Sequence, residues 1–231
     1  MSKLEDRIEI ANPQQPHCAT VLLLDSSGSM SGQKIAALNE GLRVFKEEIL
    51  GDELASKRVD LAAVTFEQAA SRLPHRFLSI EEWEVPVLAA TESTPMGRAI
   101  ISAAQLIEER KEEYKSRGID YYRPWIFVIT DGEPTDMRPG DDLWNEVAAK
   151  VREGEASKKF MFFAVGVEPA NLEILNLIAP SNRPAIKLKG TKFRELFQWL
   201  SKSQSKVSSS RVGEQVALEN PVAAGWAEIS A

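Results

Sequence analysis

Residues 19–24 (ATVLLL) and 125–130 (WIFVIT) are short apolar runs without the apolar–polar alternation of a half-exposed strand. A strand of that kind is buried on both faces, and a parallel sheet covered by helices is the setting that demands it. The segments between such runs carry a different period. Ile35, Leu38, Leu42, Phe45 and Ile49 recur every three or four residues, the apolar stripe of a helix. Residues 58–66 (RVDLAAVTF) read as a second strand and 72–78 (RLPHRFL) as a weaker one that Pro74 confines to a sheet edge. Pro95 opens a helix with Met96, Ala99, Ile100, Ala103 and Ile107 on one face, and Thr94 before it is a cap candidate.

After Asp131-Gly132, Leu143, Val147 and Val151 mark the next helix, and residues 159–167 (KFMFFAVGV) the next strand. A short helix through Leu172, Leu175 and Ile178, a last strand at 185–188 and a last helix at 193–200 complete the order. Strand–helix alternation with apolar strands gives an α/β fold: Rossmann-like, doubly wound, with a mostly parallel central sheet, one antiparallel edge strand and helices on both faces. Trp83, Trp125, Trp144 and Trp199 fall in apolar patterns and are expected in the core.

With 231 residues, 43% hydrophobic and 27% charged, the chain can bury a core without disulfides or a structural metal. The expected organisation is an N-terminal extension at 1–15, one α/β domain at 16–202 and a Ser-rich linker with a C-terminal tail at 203–231. The run SKSQSKVSSS from Ser201 reads as a flexible linker. Residues 216–229, with Pro221 and Trp226, read as a tail that folds back on the domain or docks on a partner.

Cys18 is the one cysteine and His17 and His75 the two histidines, which excludes an internal disulfide and the usual zinc patterns. Cys18 reads as a small buried hydrophobe, and the histidines as packing or surface residues. The first residues lack the apolar segment of a secretory signal, and no apolar run approaches the roughly 18 residues that span a bilayer. A cytoplasmic setting is the expectation. The net charge of −6, with basic residues scattered among acidic ones, points to neither nucleic acid nor a membrane surface as partner.

Three segments end where an open parallel sheet gathers its loops. The first strand runs into Asp25, with Ser27 and Ser29 beyond it; Thr94 precedes the Pro95 helix; the WIFVIT strand ends in Asp131. Doubly wound sheets bind ligands beyond the carboxyl ends of strands where strand order reverses. If these two strands are central neighbours, two carboxylates and three hydroxyls converge there. All-oxygen ligands favour a hard cation, Mg2+ first, with Mn2+ or Ca2+ possible. No general base stands among the five, and Glu133 and Asp136, in the loop after Asp131, are expected to shape the rim.

Asp25-Ser26-Ser27-Gly28-Ser29 resembles the DxSxS signature of the von Willebrand factor A domain, whose metal-ion-dependent adhesion site is completed by a threonine from a middle loop and an aspartate from a TDG turn. Thr94 in TESTPMGRAI and Asp131 in VITDGEPTD match those positions in the family's order; Thr91 lies nearby, but Thr94 directly precedes the helix-starting proline. The resemblance covers about residues 16–200. It implies direct coordination of the ion by Ser27, Ser29 and sometimes Thr94, water-mediated contact from Asp25 and Asp131, and a Glu or Asp of a partner protein in the open position. HCATVLLLDSSGSM, TDGEPTD and the GEQVAL…GWAEI tail further resemble the TerY-type proteins of bacterial tellurium-resistance clusters. That likeness implies a cytoplasmic stress-response assembly with kinase- or phosphatase-like partners.

Other readings compete. SSGSMSG is also good turn chemistry, and Asp-Gly and Thr-Pro are common turn and helix-start dipeptides. VLLLDSSGS resembles the opening of an aspartyl-phosphate phosphatase, making a metal-dependent phosphatase or phosphotransferase with Asp25 as nucleophile the alternative function. That chemistry wants a second carboxylate two residues on, where this chain has Ser27. A third reading has a vestigial site and binding by the tail. No P-loop or serine-hydrolase elbow is present.

Overall fold

The computed structural model describes residues 10–70, 76–90 and 93–228. Along the chain come β1 (Cys18–Leu24), a 3-10 turn (Gly28–Met30), α1 (Gln33–Leu50), α2 (Glu53–Arg58), β2 (Val59–Thr65), α3 (Phe66–Ala70), β3 (Leu78–Ser79) and α4 (Met96–Ser116). There follow β4 (Trp125–Thr130), α5 (Asp142–Ala156), β5 (Met161–Val167), α6 (Leu172–Ile178), β6 (Ile186–Leu188), α7 (Phe193–Ser208) and β7 (Ala227–Glu228). The strands form one seven-stranded sheet in the order β3-β2-β1-β4-β5-β6-β7.

The doubly buried strands are where the apolar runs placed them. Every residue of β1 and β4 is buried, and successive side chains of β1 feed opposite faces, as a strand's two-residue period requires. Cys18, Leu22 and Leu24 join the core shared with α1 and α7, while Ala19, Val21 and Leu23 join the core shared with α4 and α5. Phe127 and Phe163 stack at 4.4 Å between ring centres on the first of these faces, and Trp199 approaches both at 6.2 Å. The four tryptophans expected in the core are all there.

β1, β2, β4, β5 and β6 pair in parallel. β3 is an antiparallel edge, and β7 adds a second antiparallel strand at the other edge. Of the run 72–78 read as a third strand, only Leu78 among its described residues pairs, together with Ser79 beyond it, and residues 71–75, with Pro74 and His75, lie outside the described residues. Strand order reverses between β1 and β4, which are direct neighbours. Their carboxyl ends therefore open side by side.

The C-terminal region corrects the sequence reading. The expected flexible linker is helix: α7 runs on to Ser208, and Ser201, Ser203, Gln204 and Ser208 are buried. Hydrogen bonds tie this end of the helix to the rest of the domain. Gln204 Nε2 donates to Thr20 Oγ1 at 2.7 Å, the Ser201 hydroxyl donates to Glu48, and the Ser208 carbonyl accepts from the Tyr122 hydroxyl at 3.0 Å. The tail folds back on the domain. Trp199 Nε1 donates to the Glu219 carbonyl at 2.9 Å, Trp226 is 1% exposed with its ring 5.6 Å from that of Trp199, and β7 closes the sheet edge.

At the amino end of the sheet a polar cluster is sealed in the core. Asp60 Oδ2 accepts from Arg110 Nη2 at 2.7 Å and from the Tyr114 hydroxyl at 2.5 Å, with His17 Nδ1 3.1 Å away. Burial opposes the Asp60 charge, but His17, Arg110 and Tyr114 outweigh it and hold the carboxyl below its ordinary value. Cys18, fully buried nearby, is pushed up to about 12 by desolvation, so it stays a neutral thiol as its strand position implied.

Candidate metal centre

Asp25 continues the β1 ladder by one residue, its N–H donating to the Ile129 carbonyl at 2.9 Å. Its carboxylate is fully buried and makes no ion pair among the described residues. Neutral donors hold it instead. Oδ1 accepts the Ser27 N–H at 2.8 Å, which bends the chain into the turn carrying the serines, and Oδ2 accepts the Thr130 hydroxyl at 2.5 Å. A carboxylate buried with only neutral donors around it has no opposite charge to offset its burial, so a nearby cation would be favourable there.

Ser27 Oγ and Ser29 Oγ are 3.0 Å apart, and Ser29 Oγ donates to Asp131 Oδ1 at 2.6 Å. Asp131 follows β4 as Asp25 follows β1, and it is 3% exposed. Ser27 is buried too, while Gly28 and Ser29 are exposed, so the group opens to solvent on the Ser29 side.

Thr94 arrives from a third loop, and its role differs from the expected cap. Pro95 is the N-cap of α4 and makes no side-chain cap. Asp136 from the loop after β4 caps the helix instead, Oδ1 accepting from the Gly97 N–H at 3.0 Å and Oδ2 from the Arg98 N–H at 2.9 Å. The same loop holds the Thr94 backbone on both sides: Thr94 N–H donates to Thr135 Oγ1 at 3.2 Å, and Thr135 N–H donates to the Thr94 carbonyl at 2.9 Å. Relieved of capping, the Thr94 side chain is buried against the site. Thr91 lies outside the described residues.

Gly132 reveals the cradle these groups form. A Cβ built on it would lie 3.8 Å from Thr94 Oγ1, 3.9 Å from Asp25 Oδ2 and 4.0 Å from Ser29 Oγ. One point on the loop after β4 thus has oxygens from two other loops around it, with the glycine leaving the space open. All five expected residues meet at this place. Among the described residues no three His, Cys, Asp or Glu side chains cluster closely enough to hold a metal by themselves, so an ion here must draw on the hydroxyls. The donor set of two carboxylates and three hydroxyls fits a hard divalent cation that keeps several waters.

Reading the sequence missed several contributors. Thr130, Gly132 and Thr135 are among them, and Asp136, expected to shape the rim, caps α4 instead. Lys34 of α1 reaches the same carboxylate as Ser29, its Nζ pairing with Asp131 Oδ2 and donating to the Ser29 carbonyl at 3.0 Å. Thr130 ends a run that is otherwise apolar, and Lys34 sits in a first helical turn, where the macrodipole disfavours a cation. Those were the available signals. Glu133 is exposed and accepts from Asn171 Nδ2 at 3.1 Å.

No family model matches the chain. The inter-alpha-trypsin inhibitor heavy chain H4 of pig (Sus scrofa) is 30% identical over 167 residues, 68% of this chain and 17% of that protein, so the chain spans under a fifth of that relative's length. Among solved structures, the pilus adhesin SpaC of Lactobacillus rhamnosus GG superposes with a TM-score of 0.63 at 13% identity, over 83% of this chain and 30% of that one. The vWF domain of the type V pili tip protein Mfa5 of Porphyromonas gingivalis superposes with a TM-score of 0.57 at 11% identity, over 87% of this chain and 99% of that domain. Among the described residues no helix is long and apolar enough to cross a membrane. Sheet order, helical layers and these superpositions agree that the chain has the fold of the vWF domain, the A-type domain of von Willebrand factor.

Proposed function

We propose that this chain is a non-enzymatic interaction module. Asp25, Ser27, Ser29, Thr94 and Asp131 hold a divalent ion, Mg2+ by preference, with Mn2+ or Ca2+ as substitutes, and the ion takes a Glu or Asp side chain of a partner protein. The observation that carries this reading is the convergence at Gly132 of oxygens from two other loops, beside a buried Asp25 that makes no ion pair among the described residues.

The chemistry favours capture over catalysis. Both Asp25 oxygens already accept hydrogen bonds, and the hydroxyl ligands are neutral, so an ion bound here keeps much of its positive charge for an anionic ligand. Exposed Ser29 marks the side from which that ligand approaches. A phosphatase using Asp25 as nucleophile would need a free carboxylate oxygen and a second carboxylate where Ser27 stands. One of the structural neighbours is a pilus adhesin by name, in keeping with a binding role. The TerY-type resemblance makes a bacterial stress or tellurium-resistance assembly, with kinase- or phosphatase-like partners in the cytoplasm, the proposed context.

Asp25→Ala tests the reading. Mg2+ titration by calorimetry should show one site in the wild type and none in the variant, with circular dichroism unchanged. Proteins co-purified from the native cell should be lost both in the variant and on adding a chelator. Capture that survives both would overturn the proposal.

A further inference from the structure

The cradle has a cation built into its own chain. Lys34 lies in the first turn of α1, a turn without an acidic residue, and its ammonium reaches Asp131 Oδ2 across 97 positions of sequence. The Asp131 carboxylate is fully enclosed while the Lys34 side chain is 24% exposed. Its other oxygen accepts the Ser29 hydroxyl, and Lys34 also donates to the Ser29 carbonyl. One carboxylate is therefore shared between the lysine and a serine expected to touch the ion. A lysine at a helix start works against the macrodipole, and here it is compensated by Asp131 rather than by anything in its own helix.

We infer that Lys34 makes ion and partner carboxylate bind as a coupled pair; the inference rests on the metal-dependent reading above. Asp25 and Asp131 with Lys34 leave one net negative charge in the cradle. A divalent ion turns this to one net positive charge, and a carboxylate brought by a partner returns it to zero. Without Lys34 the ion alone would balance the two aspartates, and an incoming carboxylate would overshoot. In a partly enclosed site such imbalances are screened poorly. Lys34 thus weakens the ion's hold in isolation and favours the acidic ligand, so that more of the ion's binding depends on that ligand.

The test is Mn2+ binding to the full chain, read as loss of the free-ion signal in electron paramagnetic resonance. It is run in chloride and in acetate at matched ionic strength, acetate serving as the carboxylate probe. Lys34→Met, which keeps the length of the side chain without its charge, should bind Mn2+ about tenfold more tightly than wild type in chloride and lose most of the gain that acetate gives. Lys34→Arg should follow the wild type. Equal or weaker binding by Lys34→Met overturns the inference, as does tighter binding that keeps the full acetate effect. In those cases the metal site still stands if Asp25→Ala abolishes binding. If no variant shows binding that depends on Asp25, the metal reading fails and this inference with it.

Discussion

At the scale of single residues, what distinguishes the cradle from an ordinary turn cluster is the absence of a side chain at one position. Gly132 is not in the left-handed region, so its backbone would accept alanine, and the nearest atoms to an added Cβ are at ordinary van der Waals distances. The fold therefore does not demand glycine there. The cradle does, because the methyl would stand among the Thr94, Asp25 and Ser29 oxygens. Gly132→Ala should leave the melting temperature within about 2 °C of wild type while weakening Mg2+ binding at least as much as loss of one hydroxyl ligand, as in Thr94→Ala. Calorimetric titration beside thermal unfolding would separate the two effects. The five candidate residues were legible in the sequence because each follows an apolar run or precedes a helix. Gly132 was visible only as half of a turn dipeptide, since its use depends on oxygens from two other loops.

At the scale of elements, α4 shows how one segment can position another's ligand. Its start was legible, because Pro95 and the apolar stripe fix where the helix begins, but its cap was not. The nearest candidate, Thr94, is the local one, and the group used is Asp136, 41 residues beyond Pro95 and brought back by the loop after β4. A non-local cap leaves no pattern in one segment. The arrangement ties the Thr94 loop to the Asp131 loop at both backbone and side chain. Asp136→Ala should cost about 1 kcal/mol of stability, as removal of a helix cap does, measured by urea unfolding. It should also lower ion affinity although Asp136 touches no proposed ligand, because Thr94 loses one of the two anchors of its loop. An unaltered affinity would mean that the Thr135 contacts hold Thr94 alone. α7 illustrates the opposite error. Its Ser-rich end has the composition of a linker, yet Ser201, Gln204 and Ser208 recur at helical spacing and meet Glu48, Thr20 and Tyr122 across the fold. Composition cannot register that, because Glu48, Thr20 and Tyr122 lie far away in the chain.

At the scale of the whole molecule, strand order does most of the work. Placing β1 beside β4 puts two loops of distant sequence at one crevice, and the remaining strands extend the sheet on either side. The tail then completes the far edge. Whether residues 216–229 folded back could not be read from the sequence, because a lone tryptophan among small residues packs only if a surface waits for it. The surface is Trp199 and the β6 edge. Trp226 is nearly inaccessible there, yet its Nε1 has no hydrogen-bond partner among the described residues. Its contribution must come from the packing of the ring, since an unpaired buried N–H costs about 1–3 kcal/mol rather than adding stability. The two substitutions should therefore behave differently. Trp226→Ala should destabilise by about 3–5 kcal/mol, typical of removing a buried large aromatic. Trp226→Phe keeps most of the apolar contact and removes the unpaired donor, so its loss should be a small fraction of that, both read from urea unfolding. If alanine were as mild as phenylalanine, the tail would be resting on the domain rather than forming part of it. The helix beneath, and through α1 the turn that carries Lys34 and the serines, would then owe their placement to the core alone.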